Sequence, residues 1–156
     1  MEQTSVVNVT CVREVTLRYR SPKKTDPIDA ILTPAKAAEF MRRILPDNVR
    51  EHFLALFLDS RHLVVSYFVA ATGTANSCQV GVREVFQAAV LAGAVGIVVG
   101  HNHPSGEGEV IPSPEDRAVT ARLREAGQLL DIPVHDHLVI GAKEYFSFRE
   151  RGQFPT

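Results

Sequence analysis

Two histidines and an aspartate in the second half of the chain have the types and spacing of a metal site. His101 and His103 are one residue apart, so on an extended segment both imidazoles point to the same face. Asp116 follows thirteen residues after His103, at the predicted start of a helix. Two imidazoles and a carboxylate are the ligands of a catalytic zinc, which keeps a fourth position open for water. Cys11 and Cys78 form no closed four-ligand set, so we predict an enzyme site with Zn²⁺ as cofactor.

The segment around Asp116 has a second explanation, because Ser113-Pro114-Glu115-Asp116 is typical of a helix N-terminus. Ser113 fits the N-cap, Pro114 the first helical position and Asp116 the acid of a capping box. A first-turn carboxylate beside a strand end can also reach a metal. Capping and ligation are therefore compatible roles for Asp116.

A water on zinc needs a nearby general base, and a glutamate is the usual choice in zinc hydrolases. Glu51 precedes the continuous apolar run Phe53–Leu58, a predicted buried strand, where an acid is poorly placed unless it has a task. Glu84 opens a predicted helix, where an acid simply favours the helix dipole. We therefore predict Glu51 as the base, with Glu84 as the next candidate.

Other metal chemistries fit the residues less well. Zinc nucleobase deaminases carry H-x-E and P-C-x-x-C motifs, and neither is present. Non-haem iron enzymes also use two histidines and a carboxylate, so ligand types alone leave iron open.

The apolar pattern predicts an α/β fold that places the histidines at the carboxyl end of a strand, where open α/β sheets have their sites. A helix starts at Thr33-Pro34, and a later one runs from Ser113 to about Leu130 with Leu123, Leu129 and Leu130 facing the core. The other predicted elements are a hairpin of Phe53–Leu58 and Leu63–Ala71 turning at Asp59–His62, a helix over Val82–Ala92 ended by Gly93, and strands over Ala94–Val99, Val134–Ile140 and Tyr145–Phe148.

Composition limits the classes of protein. At 156 residues the chain is one domain, and a net charge of −1 gives no general attraction to nucleic acid or to an anionic membrane. The N-terminus has no signal pattern, so a cytoplasmic location is expected. Residues 1–30 form a basic segment, interpreted as an edge strand or arm for a partner, ahead of a domain over residues 31–156. Nothing in the sequence defines an oligomeric state.

The candidate residues together resemble the JAMM (JAB1/MPN) motif of a glutamate, H-x-H and S-x-x-D. More closely, the chain resembles the JAB domain of the RadC family over about Pro34 to Gly152, and the run from His101 to Gly106, HNHPSG, is specific. The resemblance implies a single JAB/MPN domain, a mixed curved sheet flanked by helices in a layout similar to cytidine deaminases. It also implies one zinc, held by His101, His103 and Asp116 with a water.

For chemistry, the resemblance implies hydrolysis of peptide or isopeptide bonds. We expect Glu51 to take the proton of the water and pass it to the leaving amine, and Ser113 to donate a hydrogen bond to the oxyanion. Asn102 is expected to be structural. Asp136 and His137 also match family positions, and a supporting or a purely structural role is open for both.

Two departures from the family pattern concern the surroundings of the site. The segment between His103 and Ser113 is about two residues longer than usual, and we expect it to change the rim of the site more than the ligands. Full-length members carry a helix-hairpin-helix segment that this sequence lacks, so a short stand-alone form is expected. The family name carries a DNA-repair label, but the residues give DNA binding no support. The expected partner is a peptide or protein substrate, not a membrane, and the alternative is a non-catalytic MPN-type module that binds protein or DNA.

Overall fold

The computed structural model describes residues 30–45, 49–73, 80–104 and 110–155, so the predicted basic arm lies outside it apart from Ala30. These residues form helices α1 (Pro34–Ile44), α2 (Val82–Ala92) and α3 (Pro114–Leu129), and strands β1 (Glu51–Leu58), β2 (Val64–Gly73), β3 (Gly96–Asn102), β4 (Val134–Ile140) and β5 (Tyr145–Ser147). No helix among them is long and apolar enough to cross a membrane.

One mixed sheet in the order β2-β1-β3-β4-β5 organises the fold, which confirms the predicted α/β class. β1 is antiparallel to both β2 and β3, β3 is parallel to β4, and β4 is antiparallel to β5. Alternate residues of β1 pack on opposite faces of the sheet. Leu54 and Leu56 pack with Met41 of α1, whereas Phe53 and Phe57 pack with residues of α2 and α3. Because both faces are covered, β1 and β3 are buried almost throughout, as their continuous apolar sequences predict.

The observed α2 and β4 have the predicted bounds, and Gly93 ends α2 in a left-handed conformation with a φ of 65°. The predicted end of β3 at Val99 is wrong. Its ladders continue on both sides, through the pair Phe53–His101 on β1 and the pair Asn102–Ile140 on β4. His101 therefore lies inside a central strand, where pairing on two sides fixes its backbone.

The prediction that Leu129 and Leu130 face the core is also wrong. They are 85% and 46% exposed, while Thr120, Leu123 and Gly127 form the buried stripe of α3. At Gly127 the helix touches the chain that leads into β4. A Cβ added there would lie 2.6 Å from the Ile132 carbonyl oxygen. The last turn of α3 extends beyond this contact, so Leu129 and Leu130 are exposed to solvent.

Replacing Gly127 with alanine is expected to destabilise the fold by about 1–3 kcal/mol because of this close contact. Helix propensity alone would predict a gain of about 1 kcal/mol. Urea unfolding measures the difference, and Ala118→Gly, at an exposed position of α3, reports the propensity effect without packing. A stabilised Gly127→Ala protein would contradict the contact.

Candidate metal centre

His101 and His103 direct their Nε2 atoms to one point at the end of β3. The two Nε2 atoms are 3.1 Å apart, with His101 buried and His103 half-buried. His103 follows the strand and is held by its backbone N–H, which donates to the carbonyl of Ile140 at 2.9 Å. Burial, followed by the charge of His101, lowers the pKa of His103, which favours the neutral imidazole that can bind a metal.

Asp116 uses its two carboxylate oxygens for two different contacts. Oδ2 accepts hydrogen bonds from the backbone N–H of Ser113 at 2.7 Å and from its hydroxyl at 2.8 Å. In return, Ser113 Oγ accepts from the backbone N–H of Asp116 at 3.0 Å, which completes the capping box at the start of α3. Oδ1 faces His101 Nε2 at 3.2 Å. Capping therefore leaves one oxygen of Asp116 available to the histidine pair.

The charge of Asp116 is stabilised by these contacts. Burial acts to raise the pKa of the carboxyl group, but the hydrogen bond and charge of His101 and the two bonds from Ser113 hold it well below its usual range. Asp116 is therefore a carboxylate throughout the ordinary pH range. A permanent negative charge beside two imidazoles suits a divalent cation.

Glu51 lies on the other side of the histidines. Because Phe53 pairs with His101 in the antiparallel β1–β3 ladder, Glu51 at the start of β1 comes level with His103. One ligand atom from each of Glu51, His101 and His103 falls within 4.8 Å of the others. Burial raises the pKa of Glu51, against a lowering effect of His101. The carboxylate therefore holds a proton more readily than an exposed glutamate does.

Asn102 fixes the backbone on both sides of Glu51. Its Oδ1 accepts from the backbone N–H of His52 at 2.8 Å, and its Nδ2 donates to the Arg50 carbonyl at 2.9 Å. The side chain thus extends the β1–β3 ladder beyond the pair Phe53–His101. These contacts agree with the structural role expected for Asn102, and they also set the position of Glu51.

Two residues behind His101 belong to the same cluster. His137 of β4 is fully buried, with its Nε2 3.0 Å from His101 Nδ1. Thr120 of α3 lies beyond it, with Oγ1 2.6 Å from His137 Nδ1. The sequence interpretation left the role of His137 open and missed Thr120. The available signal was spacing, since Thr120 follows Asp116 by one helical turn and shares its face.

Other candidates lie elsewhere. Glu84 is exposed in the first turn of α2 and is not a member of the Glu51–His101–His103 group. Asp136 is buried, but its carboxylate accepts from Ser147 Oγ and from the backbone N–H groups of His137 and Arg149, where the chain leaves β5. The lengthened segment after His103 lies mostly outside the described residues.

The donor set fits a zinc ion. His101 Nε2 is 3.1 Å from His103 Nε2 and 3.2 Å from Asp116 Oδ1. Nitrogen and oxygen ligands at about 2.0–2.1 Å from a tetrahedral zinc lie roughly 3.3 Å from one another, close to these separations. Glu51 adds a second carboxylate at the edge of the set, so the residues could also accommodate a different divalent ion.

Elemental analysis of the purified protein tests the donor set. We expect about one zinc per chain in the wild type and almost none in His101→Ala or His103→Ala, because a catalytic zinc with three protein ligands cannot spare one. His62→Asn is the control, since it removes an imidazole outside the cluster while asparagine tolerates the positive φ of 60° at this position. Iron in place of zinc would change the predicted cofactor, and a wild type free of metal after zinc is added back would contradict the site.

Comparison with known proteins gives a result that covers most of the chain. The family model of the RadC-like JAB domain matches residues 31–153. The match includes every residue of the cluster described above. It begins directly after the basic N-terminal segment.

Proposed function

Since the chain belongs to the RadC-like JAB domain family, we propose that it is a zinc hydrolase of the JAMM type that cleaves peptide or isopeptide bonds. The observation that carries the proposal is the convergence of His101 Nε2, His103 Nε2 and Asp116 Oδ1 beside the carboxylate of Glu51. A module that only binds a partner does not need two imidazoles and two carboxylates at one point. For such a binding module we would expect Glu51 to lie far from the histidines. Instead, ligand atoms of Glu51, His101 and His103 lie within 4.8 Å of one another.

The three donors would hold the ion through neutral imidazoles and one ionised carboxylate. A zinc ion in this position lowers the pKa of a bound water toward about 7 and polarises a carbonyl oxygen. A cavity of about 140 Å³ adjoins His103, but Arg42, Leu45 and Asn102 also line it, so it lies on the α1 side of the sheet.

Glu51 is proposed as the general base. It takes a proton from the attacking water and delivers it to the leaving amine as the C–N bond breaks. Its raised pKa lies closer to neutral pH, where a group can both accept the proton of the water and return it to nitrogen. Asn102 holds the backbone on each side of Glu51 and so keeps the carboxylate at the site.

Ser113 has one hydroxyl proton, which it donates to Asp116 Oδ2. Its first role in the proposal is therefore to orient Asp116. Stabilisation of the oxyanion, the role predicted for Ser113, would require the hydroxyl to turn away from Asp116 while the backbone N–H of Ser113 keeps its bond to Oδ2.

Glu51→Gln is expected to keep zinc and to lose hydrolysis by at least about 100-fold, because the amide cannot accept a proton. Quenched fluorescent peptides and lysine-linked isopeptides serve as substrates, and zinc content is measured on the same samples. Glu84→Gln is the matched control and should retain full activity. Normal turnover by Glu51→Gln would show that another group is the base, and a loss in Glu84→Gln would assign the role to Glu84.

The pH dependence follows from the same carboxylate. Glu51 accepts a proton only when ionised, so kcat/KM should fall as the pH decreases through the raised pKa of Glu51, above the usual range of a glutamate. Zinc content measured at each pH separates this effect from loss of the metal. A rate that stays constant well into the acid range with zinc retained would contradict the role of Glu51.

A further inference from the structure

A buried chain of hydrogen bonds runs behind the candidate metal centre. It joins His101 Nδ1 to His137 Nε2 at 3.0 Å and His137 Nδ1 to Thr120 Oγ1 at 2.6 Å. Thr120 Oγ1 in turn lies 2.5 Å from the main-chain carbonyl of Asp116. Because Asp116 Oδ1 faces His101 Nε2, the contacts close a ring that includes two of the three proposed ligands.

The position of each proton in this ring can be worked out from donors and acceptors. The Asp116 carbonyl can only accept, so the single hydroxyl proton of Thr120 must lie between the two oxygens. Thr120 Oγ1 is then left as an acceptor, and His137 must donate to it from Nδ1. If the Thr120 hydroxyl instead donated to His137, lone pairs of Thr120 Oγ1 and of the Asp116 carbonyl oxygen would face each other at 2.5 Å.

His137 then has one proton and it is on Nδ1. Its ring is fully buried against Phe148 and Phe53, where a positive charge would be costly, so the ring is neutral. Its unprotonated Nε2 can only accept, and His101 must donate from Nδ1. His101 therefore carries a proton on Nδ1, and its Nε2, the atom that faces His103 and Asp116, is the nitrogen left for the metal.

The surroundings of His137 would suit an apolar ring equally well. Its imidazole stacks on Phe148, with centroids 5.0 Å apart, and lies 5.4 Å from Phe53. A polar ring in such a place is costly unless both nitrogens are hydrogen-bonded, and here both are. Packing alone therefore does not account for a histidine at this position.

We propose that Thr120 and His137 are positioning residues that hold His101 with its proton on Nδ1 and its Nε2 lone pair directed to the metal. Partners of this kind usually are carboxylates or main-chain carbonyls, whereas here a second neutral imidazole orients the ligand without adding negative charge. The consequence for metal binding rests on the proposed function. The proton position on His137 follows from the hydrogen bonds alone and is independent of that function.

Nitrogen-15 NMR of the histidine rings tests the proton position in the metal-free protein at mildly alkaline pH. We expect His137 to carry its proton on Nδ1 and to have an unprotonated Nε2, and Thr120→Ser to preserve this state. In Thr120→Val the Nδ1 proton loses its acceptor, so the proton of His137 is expected to move to Nε2 and force that of His101 onto its own Nε2. A wild-type His137 protonated on Nε2 would overturn the proposal.

Zinc affinity, measured by competition with a chromogenic chelator, gives the second readout. Thr120→Val and His137→Leu should bind zinc about 10- to 100-fold more weakly, although neither residue is a ligand, while Thr120→Ser should stay close to the wild type. In His137→Gln the amide oxygen can still accept from His101, so this variant should bind more tightly than His137→Leu. Thermal unfolding of the metal-free variants identifies any that fail to fold. If Thr120→Val is one of them, the comparison of His137→Gln with His137→Leu takes its place.

The results separate the two proposals. Equal zinc affinities of Thr120→Val, Thr120→Ser and the wild type would overturn the positioning role even if peptides are hydrolysed. The expected proton positions and affinities without hydrolysis of any substrate would leave the positioning role standing and count against the hydrolase.

Discussion

The carboxylate of Asp116 joins the helical layer to the sheet. Its Oδ2 closes the capping box with Ser113 and so determines where α3 begins, while its Oδ1 meets His101 on the central strand. One turn later, Thr120 ties the same helix to His137 on β4. The start of α3 is thus fixed against two adjacent strands by polar contacts, while Leu123 and Gly127 fix its remainder by packing.

The sheet supplies the other half of the site through register. β3 is paired on both sides, so His101 cannot shift without breaking two ladders. The same antiparallel register brings Glu51 level with His103, and Asn102 extends it by bonding to the backbone around Glu51. A one-residue slip of β1 would turn Glu51 to the opposite face of the sheet and put a leucine of the α1 side in the place of Phe53. Core packing and site geometry therefore depend on one register.

Burial has opposite effects on the titrating groups of the cluster, and these effects suit a metal centre. It lowers the pKa of His137 and His103 and raises the pKa of Glu51, whereas the pKa of Asp116 stays low because His101 and Ser113 stabilise its charge. The result is two imidazoles that favour the neutral form beside one permanent anion and one carboxylate that is ready to take a proton. Exposed side chains of the same types would not have pKa values shifted in these different directions.

The sequence by itself determined the elements and most of the candidate site. Local signals were sufficient for the bounds of α2 and β4 and for the Ser113 cap, because caps, turns and apolar periods act over a few neighbouring residues. The motif residues from Glu51 to Asp116 were sufficient for membership of the RadC-like family. Only the tertiary structure decided that β3 continues through His101, since strand ends are set by partners that lie far away in the chain. It also decided that Glu51 rather than Glu84 joins the histidines, and that Thr120 and His137 stand behind His101. Hydrogen bonds between residues on α3, β3 and β4 exist only once helix and sheet are packed, and no local pattern encodes that geometry.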